Sequence, residues 1–351
     1  MSRFVMAGGG TGGHVVPALA VARELRRRGH EAVFVGTSRG MEARLVPAEG
    51  FELKTIDIGG LNRVSIRQRL STLVRLPIAT LACRRYVLPA AAVFSMGGYV
   101  AGPPVIAALL ARRPVLVMEP NAHPGFTNRA IARFVRKALI SFPETARYFP
   151  AGRTEMTGLP VRDEFFCIPP KVRAGALKIL ITGGSQGSRT LNRAAQDSWP
   201  LFRRASADIR IVHQTGIAAF ESIHATFAKS GIQGEVVPFI SDMPSAFAAA
   251  DLIICRAGAG TVSELAASGR PSVLVPFPFA ADDHQARNAE AMQKAGAARL
   301  VRDGEMTGAR LAALVQELSG SGELEAMGRA ARGMAKPGAA SRAADLLEQA
   351  A

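Results

Sequence analysis

A chain of 351 residues is long for one hydrophobic core and sets two domains as the expectation. Its hydrophobic content of 48% and its 35 glycines suit a packed α/β protein and exclude a disordered one. The net charge of +15 is uneven: residues 1–160 carry 22 Lys/Arg against 9 Asp/Glu, and the remainder 21 against 19.

Eight arginines and no carboxylate lie between Ile58 and Met118. Such one-sided basicity calls for an anionic partner of the N-terminal half: a membrane surface, a phosphorylated ligand or nucleic acid. A generally high arginine usage explains the total poorly, because the second half is nearly balanced. Few aromatics (one Trp, three Tyr) are available to stack on bases, and no nucleic-acid module is recognisable, so nucleic acid is set aside. Cys83, Cys167 and Cys255 are far apart, in neither disulfide nor metal-ligand spacing, as in a reducing cytosol. The first apolar run stops at glycines with no cleavage site, and no apolar stretch is long enough to span a bilayer.

In chain order, short apolar strands are expected at 3–7, 31–35, 51–57, 91–96, 115–119 and 137–141, with helices at 17–28, 103–111 and 125–134. The pattern then restarts. Strands follow at 178–182, 209–214, 236–239, 252–255, 272–276 and 299–301, with helices at 191–199 and 260–267. The fold class is α/β: two doubly wound, Rossmann-like domains of parallel sheet. Turn residues at 157–160 and 168–170 suit a linker, giving domains 1–160 and 161–336. Lys336-Pro337-Gly338 interrupts the last helical region, so the tail 337–351 is expected to pack back on the first domain.

Each half carries a glycine loop after its first strand, at 8–13 and 183–187. Backbone N–H groups and a helix N-terminus there can hold an anion, so each domain can bind a phosphate. Neither loop is a dinucleotide fingerprint, because no acidic residue closes the second strand, and no Lys-Ser/Thr pair makes a P-loop. A third strand-to-helix turn, at 256–264 (RAGAGTVSE), sets small residues beside Glu264, whose carboxylate can accept two hydrogen bonds from a vicinal diol such as a ribose. The adjacent acidic pair Asp282-Asp283 reads as a solvated helix start, so no metal or other cofactor is indicated, although a divalent ion could help neutralise phosphates.

Nine segments carry a resemblance: 9–17 (GGTGGHVVP), 36–42 (GTSRGME), 96–103 (MGGYVAGP), 119–121, 158–162 (GLPVR), 183–187 (GGSQG), 239–243 (FISDM), 256–264 and 285–288. In this order and spacing they resemble, nearly end to end, the bacterial UDP-GlcNAc transferases that convert lipid I to lipid II in cell-wall synthesis. That resemblance implies a GT-B fold, with the two domains facing a central cleft, and inverting transfer of GlcNAc to the MurNAc C4 hydroxyl of undecaprenyl-diphosphate-MurNAc-pentapeptide. It also implies a peripheral location on the cytoplasmic face of the plasma membrane.

Carried over by residue, the resemblance implies that the Ile240 backbone reads uracil and Glu264 holds the ribose. Ser185 and Arg162 would hold the diphosphate and Gln285 the sugar hydroxyls, with Ala259, Gly260, Thr261, Val262 and Ser263 lining the pocket. Thr11, Gly12, Gly13 and Asn121 would contribute from the N-terminal side. Two departures stand out: Glu119-Pro120-Asn121 and Gly158-Leu159-Pro160, where the family often has Glu-Gln-Asn and Gly-Asn-Pro.

The chemistry needs a base for the acceptor hydroxyl. His14, which ends the first glycine loop, is the first candidate, because an unperturbed histidine titrates near neutrality. Glu119 is the rival; surrounded by positive charge it is expected to stay ionised, which suits orienting His14 or the acceptor better than taking a proton. An apolar stripe of Leu70, Leu73, Val74, Ile78 and Leu81, flanked by Arg67, Arg69, Arg75, Arg84 and Arg85, is the candidate membrane-surface helix, bent by Pro77. A transferase acting on another lipid, or a UDP-GlcNAc epimerase, would share the architecture.

Overall fold

The fold is that of a computed structural model. It describes residues 1–59, 66–320 and 322–351, and the side chains of 66–71 and 73 lie outside the description. The chain divides into two compact units, Met1–Pro160 with Lys336–Ala351, and Val161–Ala335.

Unit 1 holds seven strands: β1 (Arg3–Gly8), β2 (Glu31–Gly36), β3 (Glu52–Thr55), β4 (Ala92–Gly97), β5 (Val115–Glu119), β6 (Lys137–Ile140) and β7 (Thr154–Met156). All pair in parallel, in the order β3-β2-β1-β4-β5-β6-β7. The central strands are largely apolar because helices cover both faces; every residue of β4 is buried. β7 escapes a hydrophobicity reading because it is three residues long and two of them are polar. Strand order reverses direction between β1 and β4, and loops at such a switch point are where doubly wound sheets bind ligands.

The first helix, Gly12–Arg27, starts five residues before the expected Pro17. Its opening turn is therefore built from the glycine loop itself, and the positive end of its dipole lies there. The helix Glu42–Ala48 was not foreseen. The helix Ile66–Val87 runs through Pro77. Val74, Ile78 and Leu81 are each more than two-thirds exposed on it, so this part of the stripe is surface rather than core. Leu70, Leu73, Arg67 and Arg69 belong to the undescribed side chains. The C-terminal helix Ala339–Ala350 packs on the helix Gly12–Arg27. Arg28 fastens it through Asp345 (2.6 Å) and Glu348 (2.9 Å), and His30 through Glu348 (2.8 Å).

Unit 2 holds β8 (Leu177–Thr182), β9 (Ile209–Gln214), β10 (Gln233–Val237), β11 (Leu252–Cys255), β12 (Ser272–Leu274) and β13 (Ala298–Leu300), all parallel, in the order β10-β9-β8-β11-β12-β13. β10 stops at Val237 rather than at the expected Phe239, which leaves Ile240 on a loop. On one face of the sheet, Ile179, Ile181, Ile211 and Ile254 pack with Trp199, Phe202, Leu311 and Leu314. Among the described residues, no helix is long and apolar enough to cross a membrane.

Candidate active site

In unit 1 the loop after β1 is shaped by a carboxylate that the sequence reading passed over. Glu42 is fully buried. It accepts hydrogen bonds from the Gly10 N–H (2.7 Å), the Thr37 N–H (2.9 Å) and the Thr37 hydroxyl (2.7 Å). Burial pushes its carboxyl up, but the bonds from Thr37 and Gly10 outweigh that and leave it below the usual carboxylate range. A Cβ on Gly9 would lie 2.6 Å from the Glu42 carboxylate, so glycine there follows from packing as well as from ligand approach. The available signal was an acidic residue closing the 36–42 segment beside Thr37; its third partner, Gly10, is distant in sequence.

His14 lies in the first turn of the helix Gly12–Arg27 and is half-buried. Its Nδ1 is 3.2 Å from the Gly9 carbonyl and 3.4 Å from the Thr11 hydroxyl. A carbonyl only accepts, so the first contact places the ring proton on Nδ1 and the lone pair on Nε2. Gly98, at φ +77°, lies against this ring; a Cβ there would stand 3.2 Å from it. Thr11 and Gly13 are exposed and Gly12 is half-buried around the same turn.

Glu119 behaves differently from expectation. It is buried, and its donors are amides: the Asn121 N–H and side chain (both 3.0 Å), the Gly125 N–H (3.1 Å) and the Asn128 side chain (2.9 Å). Burial, more than the surrounding charge, governs its carboxyl and raises it, while these bonds pull the other way. All four bonds tie down its own loop. Asn121 is drawn into the same knot, its carbonyl also accepting from the Thr145 hydroxyl (2.9 Å). Pro120, which lacks an N–H, fits a loop held through its neighbours. Leu159, at the other departure, is buried in unit 1.

Unit 2 contains a pocket of about 820 Å³ at the carboxyl ends of β8, β9 and β11. It brings together six predicted residues from five separate segments: Arg162, Ser185, Ile240, Thr261, Glu264 and Gln285. Ala259, Gly260 and Ser263 lie on the same first turns of the helix Ala259–Ser268 without lining the pocket. Val262 is a correction: at 2% exposure it packs into the core, because it falls on the buried face of that helix.

Glu264 has no hydrogen-bond partner among the described residues. Burial pushes its carboxyl up to about 7, with the Arg162 charge pulling it down. A shielded carboxylate with vacant acceptor sites is suited to a pair of hydroxyls. Gln285 is oriented by its own bonds: Oε1 accepts from the Ala257 N–H (3.2 Å) and the Phe277 N–H (3.0 Å), which leaves the NH₂ as the half that can donate to a ligand. Ser185 and Arg162 are exposed at the pocket wall. Ile240 departs from expectation in one respect, since its N–H already donates to Gln214 Oε1 (3.0 Å).

Asp282 and Asp283 do not form an ordinary helix start; both hold a left-handed backbone at φ +52°. Among the described residues no three His, Cys, Asp or Glu side chains are grouped as metal ligands would be.

Residues 4–140 match the glycosyltransferase family 28 N-terminal domain, and residues 178–349 match the family 28 C-terminal domain. The chain is 70% identical over 348 residues to a UDP-N-acetylglucosamine--N-acetylmuramyl-(pentapeptide) pyrophosphoryl-undecaprenol N-acetylglucosamine transferase of Solibacter usitatus, covering 99% of this chain and 96% of the relative. It is 40% identical to the protein of the same name from Myxococcus xanthus, covering 99% and 92%. The crystal structure of Acinetobacter baumannii MurG superposes with a TM-score of 0.86 at 36% identity, covering 99% of this chain and 100% of that one. Two parallel-sheet units in one chain, matched in order along nearly its full length, give the GT-B architecture and place the chain in glycosyltransferase family 28.

Proposed function

We propose that this glycosyltransferase moves GlcNAc from UDP-GlcNAc to the MurNAc C4 hydroxyl of undecaprenyl-diphosphate-MurNAc-pentapeptide, converting lipid I to lipid II in peptidoglycan synthesis. The observation that carries the reading is 70% identity, end to end, to a relative named for that transfer. The six polar and backbone groups gathered in the unit 2 pocket support it, because they match the parts of a nucleotide sugar: base, ribose, diphosphate and hexose.

On this reading unit 2 binds the donor and unit 1 takes the acceptor. The acceptor oxygen attacks the anomeric carbon, the bond from that carbon to the diphosphate breaks, and UDP departs with the electron pair. The hydroxyl proton passes to His14 Nε2, the ring nitrogen left with the lone pair. Arg162, Ser185 and the amides of the 183–187 loop meet the charge that develops on the diphosphate. One displacement inverts the anomeric centre. Glu42 keeps the first glycine loop in shape, and Glu119 does the same for the loop bearing Asn121.

The exposed Val74, Ile78 and Leu81, with Arg75, Arg84 and Arg85 on the same helix, form the face that meets anionic lipid at the cytoplasmic side of the plasma membrane. The test of the reaction is acceptor dependence. UDP is expected to be released from UDP-GlcNAc only when a lipid I analogue is present. Steady turnover of the donor alone would favour an epimerase or hydrolase instead.

A further inference from the structure

Gln214 is the last residue of β9 and is 1% exposed. Its amide bridges two loops of the donor pocket. Oε1 accepts from the Ile240 N–H at 3.0 Å, and Nε2 donates to the Gly184 carbonyl at 2.8 Å. Ile240 belongs to the turn after β10, and Gly184, at φ +82°, to the glycine loop after β8. The two ends demand opposite chemistry, a donor at one and an acceptor at the other. Glutamate would present acceptors to both, leucine would answer neither, and asparagine is one methylene short.

The same strand end also presses on the glycine loop through its neighbour. Gly187 has φ +73°, and a Cβ on it would lie 1.9 Å from the Thr215 carbonyl. Thr215 in turn donates its N–H to the Val237 carbonyl at 3.0 Å, at the root of the Ile240 turn. Residues 214 and 215 thus touch both loops at once.

We propose that Gln214 is a positioning residue that holds the base-reading turn and the phosphate loop at one fixed separation. By engaging the Ile240 N–H, it leaves the Ile240 carbonyl as the group that reads the base. The inference rests on the donor-site reading above and deepens it. Nothing among the described residues donates to that carbonyl. A carbonyl takes the N3–H of uracil but meets the N3 lone pair of cytosine with another lone pair. Selection of the base therefore depends on the orientation of one peptide group, and Gln214 sets it.

The test is calorimetric binding of UDP and CDP to the full chain and to two variants, Gln214→Leu and Gln214→Glu. In the leucine variant the preference for UDP over CDP is expected to fall about tenfold, the order of effect of a lost buried hydrogen bond. In the glutamate variant at pH 8 a carboxylate faces the Gly184 carbonyl, and UDP binds weakly. As pH falls and that buried carboxyl gains a proton, its O–H replaces the lost N–H donor, and UDP affinity relative to wild type at the same pH recovers.

Equal weakening of UDP and CDP in the leucine variant, or no recovery in the glutamate variant, overturns the proposal. Should the leucine variant not fold, the glutamate variant decides alone, because its folded fraction can be read by circular dichroism at each pH. Wild type that binds neither UDP nor UDP-GlcNAc would overturn the donor-site reading and this inference with it. Wild type that binds UDP, with unchanged variants, overturns this inference only.

Discussion

Replacing Glu264 by glutamine is expected to stabilise the ligand-free chain at pH 8 while loosening its hold on UDP. Burial raises the Glu264 carboxyl from 4.5 to about 7 in the folded protein, against the pull of Arg162. Between those values the folded state keeps a proton that the unfolded state has lost. Stability therefore falls as pH rises from about 4.5 to about 7, and the loss is complete above that.

An interval of about 2.5 pH units, at about 1.4 kcal/mol each, sets an upper limit of about 3.5 kcal/mol. Glu264 is partly reached by solvent at the pocket wall, so a gain of about 1–3 kcal/mol is the working figure. Urea unfolding at pH 5 and pH 8 measures it, in the transition that UDP shifts. The gap between Glu264→Gln and wild type should open at pH 8 and nearly close at pH 5. UDP binding at pH 8 should weaken by roughly 10- to 100-fold, since hydroxyls that donated to a carboxylate would face a neutral amide. An equal gap at both pH values, or a variant less stable at pH 8, refutes the assignment of a buried, unpaired carboxylate.

His14→Ala should lower the transfer rate by about 10²- to 10⁴-fold with UDP affinity unchanged, as a lost general base would; a parallel loss of UDP binding in calorimetry would place His14 elsewhere. Uridine, which has no phosphate to titrate, should bind up to about tenfold more weakly for each pH unit below about 7, because its ribose needs Glu264 ionised and a proton must first leave; a flat profile in competition against labelled UDP contradicts that. Glu42→Gln should cost unit 1 about 1–3 kcal/mol and reduce transfer, leaving UDP binding intact, because one acceptor oxygen facing Thr37 or Gly10 is replaced by a donor. Binding to anionic vesicles should fall between low and high salt, and Ile78→Asp should weaken it further; retention that ignores salt would remove the electrostatic half of the membrane reading.

The alternation of apolar strands and helices made the two parallel sheets legible, because strands buried on both faces must be continuously apolar. β7 and the helix Glu42–Ala48 were not, being short and partly polar, and held by neighbours distant in sequence. The glycine loops were visible as strand-to-helix turns, but not that the first helix begins inside one of them at Gly12. Arg162, Ser185, Thr261 and Gln285 could be singled out because their segments carry the family resemblance, and the fold brings all four to one pocket.

What the sequence concealed is the scaffolding of that chemistry. Nothing local marks Glu42 as the clamp of the first loop or Gln214 as the bridge of the second; each acts on groups more than twenty residues away. Glu119 misled for a related reason. Its surroundings in sequence are cationic, but its surroundings in space are amides. Val262 was placed by its motif, and helical periodicity turns it inward instead.

The structure of the product formed from UDP-GlcNAc and a lipid I analogue, determined by NMR, is the decisive measurement. GlcNAc joined to the MurNAc 4-oxygen, with its anomeric configuration inverted relative to the donor, is the predicted result. A retained configuration, or GlcNAc on any other oxygen, would contradict the single displacement and the acceptor assigned here.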